Sequence, residues 1–360
     1  MNFNLINFCE INKDSVESYC AVHEVNKNKN LGDITKVDVT SLLVGIDLIV
    51  SGSPCTSYSI AGKQEGGVKG SGTPSSLLWN SVDVIKHCKP KFVIWENVKN
   101  VLSNKHFPVF KDYIIEMKNS GYNTYYRVLN AKDYGIPQNR QRIYAISIRE
   151  DIDDNPDYDI DSINNRYYDR NCGSLYPAPQ DVTVRLKDFL EQSVDEKYYL
   201  SDSYVEKFNP NNIKCEQFEP ITLKQLYYVN NVNSQGNRVY DINGLSVTLT
   251  AMSGGLGAKT GLYQTEDGKI RKLTPKECWK LMGFDDLDFE KAYAVGGTDN
   301  KLRVQAGNSI VVNVLEEIYK CLHAAYPNDF KADMSVISLF SGIGAFEKAL
   351  ERVIFFKKNN

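Results

Sequence analysis

The chain has 360 residues, 42% hydrophobic and 11% aromatic, which excludes intrinsic disorder and leaves enough apolar material for a large core divided between two domains. Its net charge of −3 excludes a surface coated in basic residues, and the absence of any apolar run near the roughly 20 residues that span a bilayer, together with a polar start lacking the features of a signal peptide, leads us to expect a cytoplasmic protein with no membrane partner. Eight scattered cysteines without a Cys-x-x-Cys pair, and only four histidines, point to neither a disulfide framework nor a metal site.

In chain order, FNLINF reads as a strand and KDSVESYCAVHEV behind it as a helix. GIDLIVSG and PKFVIWEN are two further strands, separated by the helical pattern SSLLWNSVDVIKHC. YRVLNAKDYGIPQNRQRIYAISI continues with a strand, a proline-containing loop and a strand. Strands alternating with helices predict an α/β fold: a doubly wound, mostly parallel sheet with its site at the carboxyl ends of the strands. From about Asp151 to Lys269 the chain turns rich in Asn, Asp, Tyr and Gly, with short strand candidates such as SVTLTA, as expected of a second, smaller, loop-rich domain. TPKECWKLMGF opens a helix with a capping box, Thr274 as N-cap and Glu277 three residues later. SIVVNVLEEIYKCLHAAY is a long helix, and VISLFSGIGAFEKAL after it reads as strand, glycine turn and helix. The expected boundaries are residues 1–165 and 270–360 for one domain and 166–269 for the other.

Charge is unevenly spread. Ile85 to Glu150 carries 12 Lys and Arg against 5 Asp and Glu, and Asp151 to Lys197 carries 5 against 12. The basic stretch is either a solvated face or a phosphate-binding stripe; the acidic DIDDNPDYDID reads as a linker.

Four side chains stand out for their chemistry. Cys55 follows a strand and a proline and precedes AGKQEGGVKGSGTPSS, a stretch so rich in Gly and Ser that it should move as a lid. A cysteine taken at random is buried filler; at a strand end beneath a lid it is placed to be a nucleophile. Glu96 ends the next strand and should open on the same sheet edge, either as a helix cap or as an acid. Arg140 and Arg142 alternate after Gln138, so both are expected on one strand face, as edge solvation or as an anion clamp. The glycine turn at the end of the chain poses a separate question. A nucleotide site of this type needs an acidic residue at the end of the following strand, and the chain offers one at its other end, Glu10 in NFCE. Joining the two ends would restore strand, turn, helix, strand and acid in order, as a circular permutation does.

The ordered blocks LFSGIGAF, Glu10, GDIT, SPC, ENV, QNRQR, RKLTPKEC and GNS together resemble the cytosine-C5 DNA methyltransferase family, of bacterial or phage type, over nearly the whole chain. Relative to that family the glycine block comes last, as in a circular permutant. Ser338 stands where Asp is frequent, Ala345 where a second glycine is, and Thr56 where Gln is common.

The resemblance implies an S-adenosylmethionine-dependent methyltransferase fold with a target-recognition domain, acting on a cytosine flipped out of duplex DNA. It implies Cys55 as nucleophile, Glu96 as acid at N3, Arg142 at O2 and Arg140 in support. It implies a cofactor site of Phe340, Ser341, Gly342, Ile343 and Gly344 with Glu10, Ile11, Asp33, Ile34, Gly52, Asn308 and Ser309. DNA contacts are expected from Ser59, Gln235 and Arg238, with Lys259 nearby. A monomer is expected, serving restriction-modification beside a cognate endonuclease or phage self-protection. Three other readings are weighed: an RNA cytosine methyltransferase, a regulator that kept the fold without the chemistry, and a nicotinamide dehydrogenase. The last fails because the turn lacks the third glycine of Gly-x-Gly-x-x-Gly.

Overall fold

The computed structural model describes residues 3–59, 62–153, 175–201, 221–228, 235–252 and 255–355. The strands are β1 (Asn4–Cys9), β2 (Leu48–Ser51), β3 (Phe92–Val98), β4 (Tyr122–Asn130), β5 (Gln141–Arg149), β6 (Gln225–Tyr228), β7 (Arg238–Asp241), β8 (Leu262–Gln264), β9 (Ile270–Arg271) and β10 (Ser335–Leu339). The α-helices are α1 (Lys13–His23), α2 (Leu78–Cys88), α3 (Phe107–Asn119), α4 (Pro275–Lys280), α5 (Asp286–Ala294), α6 (Asp299–Asn308), α7 (Val312–Ala325) and α8 (Ala345–Phe355). Among the described residues, no helix is long and apolar enough to cross a membrane. The chain divides into two compact units, one of residues 1–129, 141–178 and 315–360, the other of residues 130–140 and 179–314.

The first unit holds a sheet in the order β1-β10-β2-β3-β5-β4. The pairs β1/β10, β10/β2 and β2/β3 are parallel, and β3/β5 is antiparallel. Strand β10, late in the chain, therefore lies between two early strands. A parallel sheet is covered on both faces, and accordingly all four residues of the neighbouring β2, Leu-Ile-Val-Ser, are buried. Alternate residues divide the faces. Ile49, Val93, Trp95, Ile143, Ala145, Ile337 and Leu339 join one core with α2 and α3. On the other face, Phe8 stacks on Tyr19 of α1 at 4.2 Å and Phe92 meets Tyr326 just past α7 at 5.5 Å.

Helix limits follow local chemistry. Asn12 caps α1 through its side chain, which accepts the Ser15 amide at 3.0 Å, and Glu24 ends the helix in the left-handed region. Helix α3 is not among the elements read from the sequence, and neither are α5 and α6. Each carries a start signal: Pro108 in the first turn of α3, an Asp285/Asp288 capping box for α5, and Thr298 capping α6.

The second unit contains a smaller sheet, β6-β7-β8-β9. Residues 270–314 and 130–140 group with it, a division different from the expected 166–269. One reason is that Arg271 and Glu277 bind helix α4 to β9 in this unit. SVTLTA forms no regular strand; it makes a single bridge, Ser246 with Gln138, because its Thr248 hydroxyl and Leu249 amide bond the Gln138–Asn139 segment instead. Most of the acidic stretch read as a linker lies outside the described residues.

The α4 capping box is present as expected and is built into a buried ion pair. Glu277, fully buried, accepts both guanidinium NH₂ groups of Arg271 at 2.7 and 2.8 Å, and also the amides of Thr274 and Glu191 at 2.8 Å each. Replacing it leaves a buried cation, the buried Thr274 amide and the half-buried Glu191 amide without their acceptor. Glu277→Ala should lower stability by about 3–5 kcal/mol, measured by denaturant unfolding; a loss below about 1 kcal/mol would contradict this packing.

Candidate active site at one edge of the sheet

Three parallel strands of the first unit, β1, β10 and β2, end in register, level with Trp95 inside β3, which runs on to Val98. Cys9 pairs with Leu339, Leu339 with Ser51, and Ser51 with Trp95. The residues that follow, Glu10, Phe340 and Gly52 beyond their strands and Glu96 in the last part of the β3 ladder, therefore line one edge. Glu10, Ile11, Gly52, Glu96 and the turn from Phe340 to Gly344 sit at or just beyond that row.

At the β10 end, Phe340 adopts φ 56°, Gly342 57° and Gly344 84°. A left-handed conformation is ordinary for glycine and strained for phenylalanine, which marks this turn as built for something other than stability. Ser341 braces it: its amide donates to the Cys9 carbonyl at 3.1 Å and its hydroxyl to the Ser338 carbonyl at 3.0 Å. The Ile343 side chain is buried in the core, so only its backbone faces the turn. Glu10 accepts the Gly342 amide at 2.9 Å on Oε2 and the Asn12 amide at 2.7 Å on Oε1. Each carboxylate oxygen keeps a further lone pair. A Cβ added to Gly342 would meet nothing within 4 Å, so open space lies beside the turn. Those two features fit a cofactor carrying a ribose diol. Ile11, the next residue, is 70% exposed and offers an apolar surface beside it.

GDIT runs along β1. Asn30 brackets Glu10 through both sides of its amide, accepting the Glu10 N–H and donating to its carbonyl at 3.0 Å each. This brings Asp33 to the same edge, where Thr35 takes one carboxylate oxygen through its amide at 3.0 Å and its hydroxyl at 2.8 Å. These bonds hold the Asp33 carboxyl below its ordinary range. Ile34 is a core residue.

The Ser53-Pro54-Cys55 segment is fixed carbonyl by carbonyl. Asn97 Nδ2 donates to the Ser53 carbonyl at 3.0 Å and Ser75 Oγ to that of Pro54 at 2.8 Å, while the amides of Tyr58 and Ser59 donate to that of Cys55 at 2.9 Å each. Trp95 Nε1 adds a bond to Ser53 Oγ at 2.9 Å. With its backbone so bound, the turn has the half-buried Cys55 thiol to present. By contrast Cys9, Cys88 and Cys278 are buried, and burial pushes their thiols up to about 12, 11 and 12, which makes them inert filler. Part of the Gly-rich stretch beyond Cys55, expected from the sequence to move as a lid, packs against the fold at Gly67. Trp79 Nε1 donates to the Gly67 carbonyl at 2.9 Å, and a Cβ on Gly67 would stand 2.1 Å from the Tyr58 hydroxyl oxygen; residues 68–72 are exposed.

Glu96 is 8% exposed and meets Arg142 Nε at 3.2 Å. The pair is diagonal across the β3/β5 ladder, in which Glu96 faces Tyr144 and Val98 faces Arg142. Arg142 NH1 also donates to the Gln141 carbonyl at 2.8 Å.

Arg140 does not share that face, contrary to expectation. Strand β5 starts at Gln141, so the alternation that would align the two arginines does not extend back to Arg140. Its guanidinium is 3% exposed and bonds the carbonyls of Leu249, Ser309 and Gly307 at 2.8, 2.7 and 3.2 Å. Gln138, fully buried, works alongside it, donating to the Leu281 carbonyl at 2.9 Å and accepting the Leu249 amide at 3.0 Å. Half of the QNRQR block thus braces the second unit.

Asn308 and Ser309 lie at the end of α6 in that unit, Asn308 exposed and Ser309 buried. Gly307 is required there, since a Cβ would stand 2.3 Å from the Thr250 backbone. Gln235 begins a short 3₁₀ turn, Arg238 begins β7 beside the Tyr240 hydroxyl, and Lys259, at φ 73°, bonds Asn300. Asn97, inside the ENV block, holds the Ser53 carbonyl, a role its sequence did not indicate; Asn30 and Ser75, which also hold the site's backbone, carry no signal beyond being small polar residues near a motif.

A model of the C-5 cytosine-specific DNA methylase family matches residues 1–324. The chain is 32% identical, over an alignment 417 positions long that covers 91% of it and 94% of the relative, to the orphan methyltransferase M.SPBetaI of Bacillus phage SPbeta. It is 34% identical over 298 residues to the type II methyltransferase M.HhaI of Haemophilus parahaemolyticus, covering 82% of each chain. Among solved structures, that of the S. pombe Dnmt2 methyltransferase superposes with a TM-score of 0.58 at 18% identity, covering 90% of this chain and 92% of that one, a likeness of fold. The chain therefore belongs to the C-5 cytosine-specific DNA methylase family and is a DNA cytosine-C5 methyltransferase.

Proposed function

We propose that the protein methylates C5 of a cytosine flipped out of a short specific duplex sequence, using S-adenosylmethionine and a covalent link from Cys55 to C6. The observation that carries this reading is the common edge on which the Cys55 turn, the Glu96–Arg142 pair and the Glu10–Gly342 contact all lie.

Cytosine C5 is a weak nucleophile. The Cys55 thiolate adds to C6, and the electron pair displaced from the C5–C6 double bond makes C5 enamine-like. The Glu96 carboxyl gives a proton to N3 as charge builds there. Arg142 spends two N–H donors on Glu96 and Gln141, and its others serve cytosine O2. When bound, the cofactor supplies a methyl group on a sulfonium, whose carbon–sulfur electron pair returns to sulfur on transfer to C5. Loss of the C5 proton to water, expulsion of the Cys55 thiolate from C6 and return of the N3 proton to Glu96 restore the aromatic ring. Arg140 acts as a positioning residue, holding Gly307 to Ser309. Glu10 receives the cofactor ribose, Phe340, Ile11, Asp33 and Ile34 its adenine, and the turn from Ser341 to Gly344 with Gly52 its remainder.

Glu10→Ala should weaken S-adenosylmethionine binding about 10- to 100-fold, the worth of charge-assisted bonds to two hydroxyls, as read by calorimetry; unchanged affinity would remove Glu10 from the site.

The chain order supports a circular permutation: the family match ends at residue 324, before β10, yet β10 lies between β1 and β2. Moving residues 332–360 ahead of residue 1 should give a protein that folds and binds S-adenosylmethionine as tightly; failure to fold would refute the permutation.

The segment around Gln235, Arg238 and Lys259, within residues 166–269, reads the sequence, with Arg238 suited to a guanine O6 and N7, and Ser59 meets the DNA next to Cys55. The same reading gives the enzyme a modification role, with a restriction endonuclease or in phage self-protection. Methyl transfer from labelled S-adenosylmethionine to duplex DNA, with transfer RNA in parallel and the modified cytosines sequenced, tests the proposal. Label at one short DNA motif is expected; label only in RNA would overturn it.

A further inference from the structure

Beneath the glycine turn lies a buried polar cluster that the chemistry above does not use. His23, at the end of α1, is 5% exposed. Its Nδ1 lies 3.1 Å from Glu351 Oε1 and its Nε2 lies 3.2 Å from the Ile343 carbonyl, in the middle of the turn. Beside it, Tyr19 donates its hydroxyl to Glu347 Oε1 at 3.0 Å, and Glu347 is fully buried. Gly344 makes room for the ring, since a Cβ there would stand 2.0 Å from His23 Nε2.

Both ring nitrogens of His23 thus face acceptors, a carboxylate and a carbonyl. A neutral imidazole has one N–H and one lone pair, so it satisfies one of these contacts and opposes the other; only the imidazolium donates to both. We propose that His23 is a positioning residue for the cofactor turn, which as an imidazolium ties the Ile343 carbonyl to Glu351 and holds Ser341 to Gly344 in the shape that takes S-adenosylmethionine. This rests on the reading of that turn as the cofactor site.

The groups facing His23 agree with this state. Glu351 and Glu347 come from α8, the Ile343 carbonyl from the turn, and Tyr19 from its own helix at 4.9 Å between rings. Burial opposes the charge, but the Glu351 contact outweighs it together with Glu347 and the carbonyl, so His23 titrates above its ordinary value of 6.5. A raised histidine pKa makes the tie complete below that ordinary value and lost as pH rises through the raised one. Cofactor affinity should therefore fall with rising pH.

The experiment measures S-adenosylmethionine binding by calorimetry from about pH 6 to about pH 9. Wild type is expected to weaken about tenfold across that range, the worth of one charge-assisted bond. His23→Gln, whose amide keeps one donor for the Ile343 carbonyl and carries no charge, should bind with an affinity that does not vary with pH. His23→Ala should bind weakly throughout, with thermal unfolding confirming that it folds. A wild-type affinity independent of pH, or a step that persists in His23→Gln, would overturn the proposal. Amide hydrogen exchange without cofactor separates this inference from the cofactor reading. The Gly342 and Gly344 amides, bonded to Glu10 and to the Ser341 carbonyl at 2.9 Å each, should lose protection relative to intrinsic exchange as His23 deprotonates. If wild type binds no cofactor at any pH the cofactor reading fails, and the exchange result still decides the tie: pH-dependent protection supports it and constant protection refutes it.

Discussion

Cys55→Ser should lower the single-turnover rate of methyl transfer by roughly 10³-fold or more while leaving cofactor and DNA affinities within about twofold. Serine keeps the size of the side chain, and the turn that presents it is held by backbone carbonyls, through Asn97, Ser75, Tyr58 and Ser59, so geometry is preserved. What is lost is nucleophilicity. A thiol reaches its reactive anion near neutral pH, whereas a hydroxyl ionises far above it, and without addition at C6 the C5 position stays unreactive. Rapid-quench assays on duplex DNA provide the rate. A variant retaining more than about a tenth of the wild-type rate would remove Cys55 from the reaction.

Glu96→Gln should lower the same rate by about 10²- to 10⁴-fold, the usual worth of a positioned general acid. The amide fits the space of the carboxyl and can still accept from Arg142 Nε, now 3.2 Å from Glu96 Oε1, but it has no proton to give to N3. The variant should therefore bind DNA and cofactor normally and stall before the adduct accumulates. Because Glu96 is nearly buried, Glu96→Ala would add the cost of an unpaired arginine and so report less cleanly on the proton. Near-normal turnover in Glu96→Gln would mean that N3 is protonated by another group or by water.

The sheet was readable because each strand is a short apolar run, and Glu10, Cys55, Glu96 and the glycine turn were readable because they end such runs. Their convergence follows from parallel register alone: Cys9, Leu339, Ser51 and Trp95 align, so whatever follows them shares an edge. The limits of the reading are equally physical. Arg140 and Arg142 look alike at alternate positions, yet a strand that begins one residue after Arg140 separates their roles, and periodicity cannot locate a strand start to one residue. SVTLTA has the composition of a strand, but its Leu249 amide is claimed by Gln138, a partner 111 positions away that local pattern does not reveal. Helices α5 and α6 carry cap signals and α3 a proline in its first turn, but their apolar spacing is less regular than that of α7, so periodicity does not mark them. Nothing in the sequence marks His23 or Asn30, because their importance arises from contacts across the fold rather than from neighbours in the chain.

The central claim, covalent catalysis by Cys55 on DNA cytosine, is tested most directly by incubating the enzyme with S-adenosylmethionine and a duplex carrying 5-fluorocytosine at the methylated position. Fluorine at C5 cannot leave as a proton, so the enzyme is expected to stop after methyl transfer as an adduct that survives denaturation, with the Cys55 peptide carrying the methylated fluorocytosine in the mass spectrum. Robust methylation of ordinary DNA with no such adduct, or an adduct mapped to another cysteine, would contradict the account.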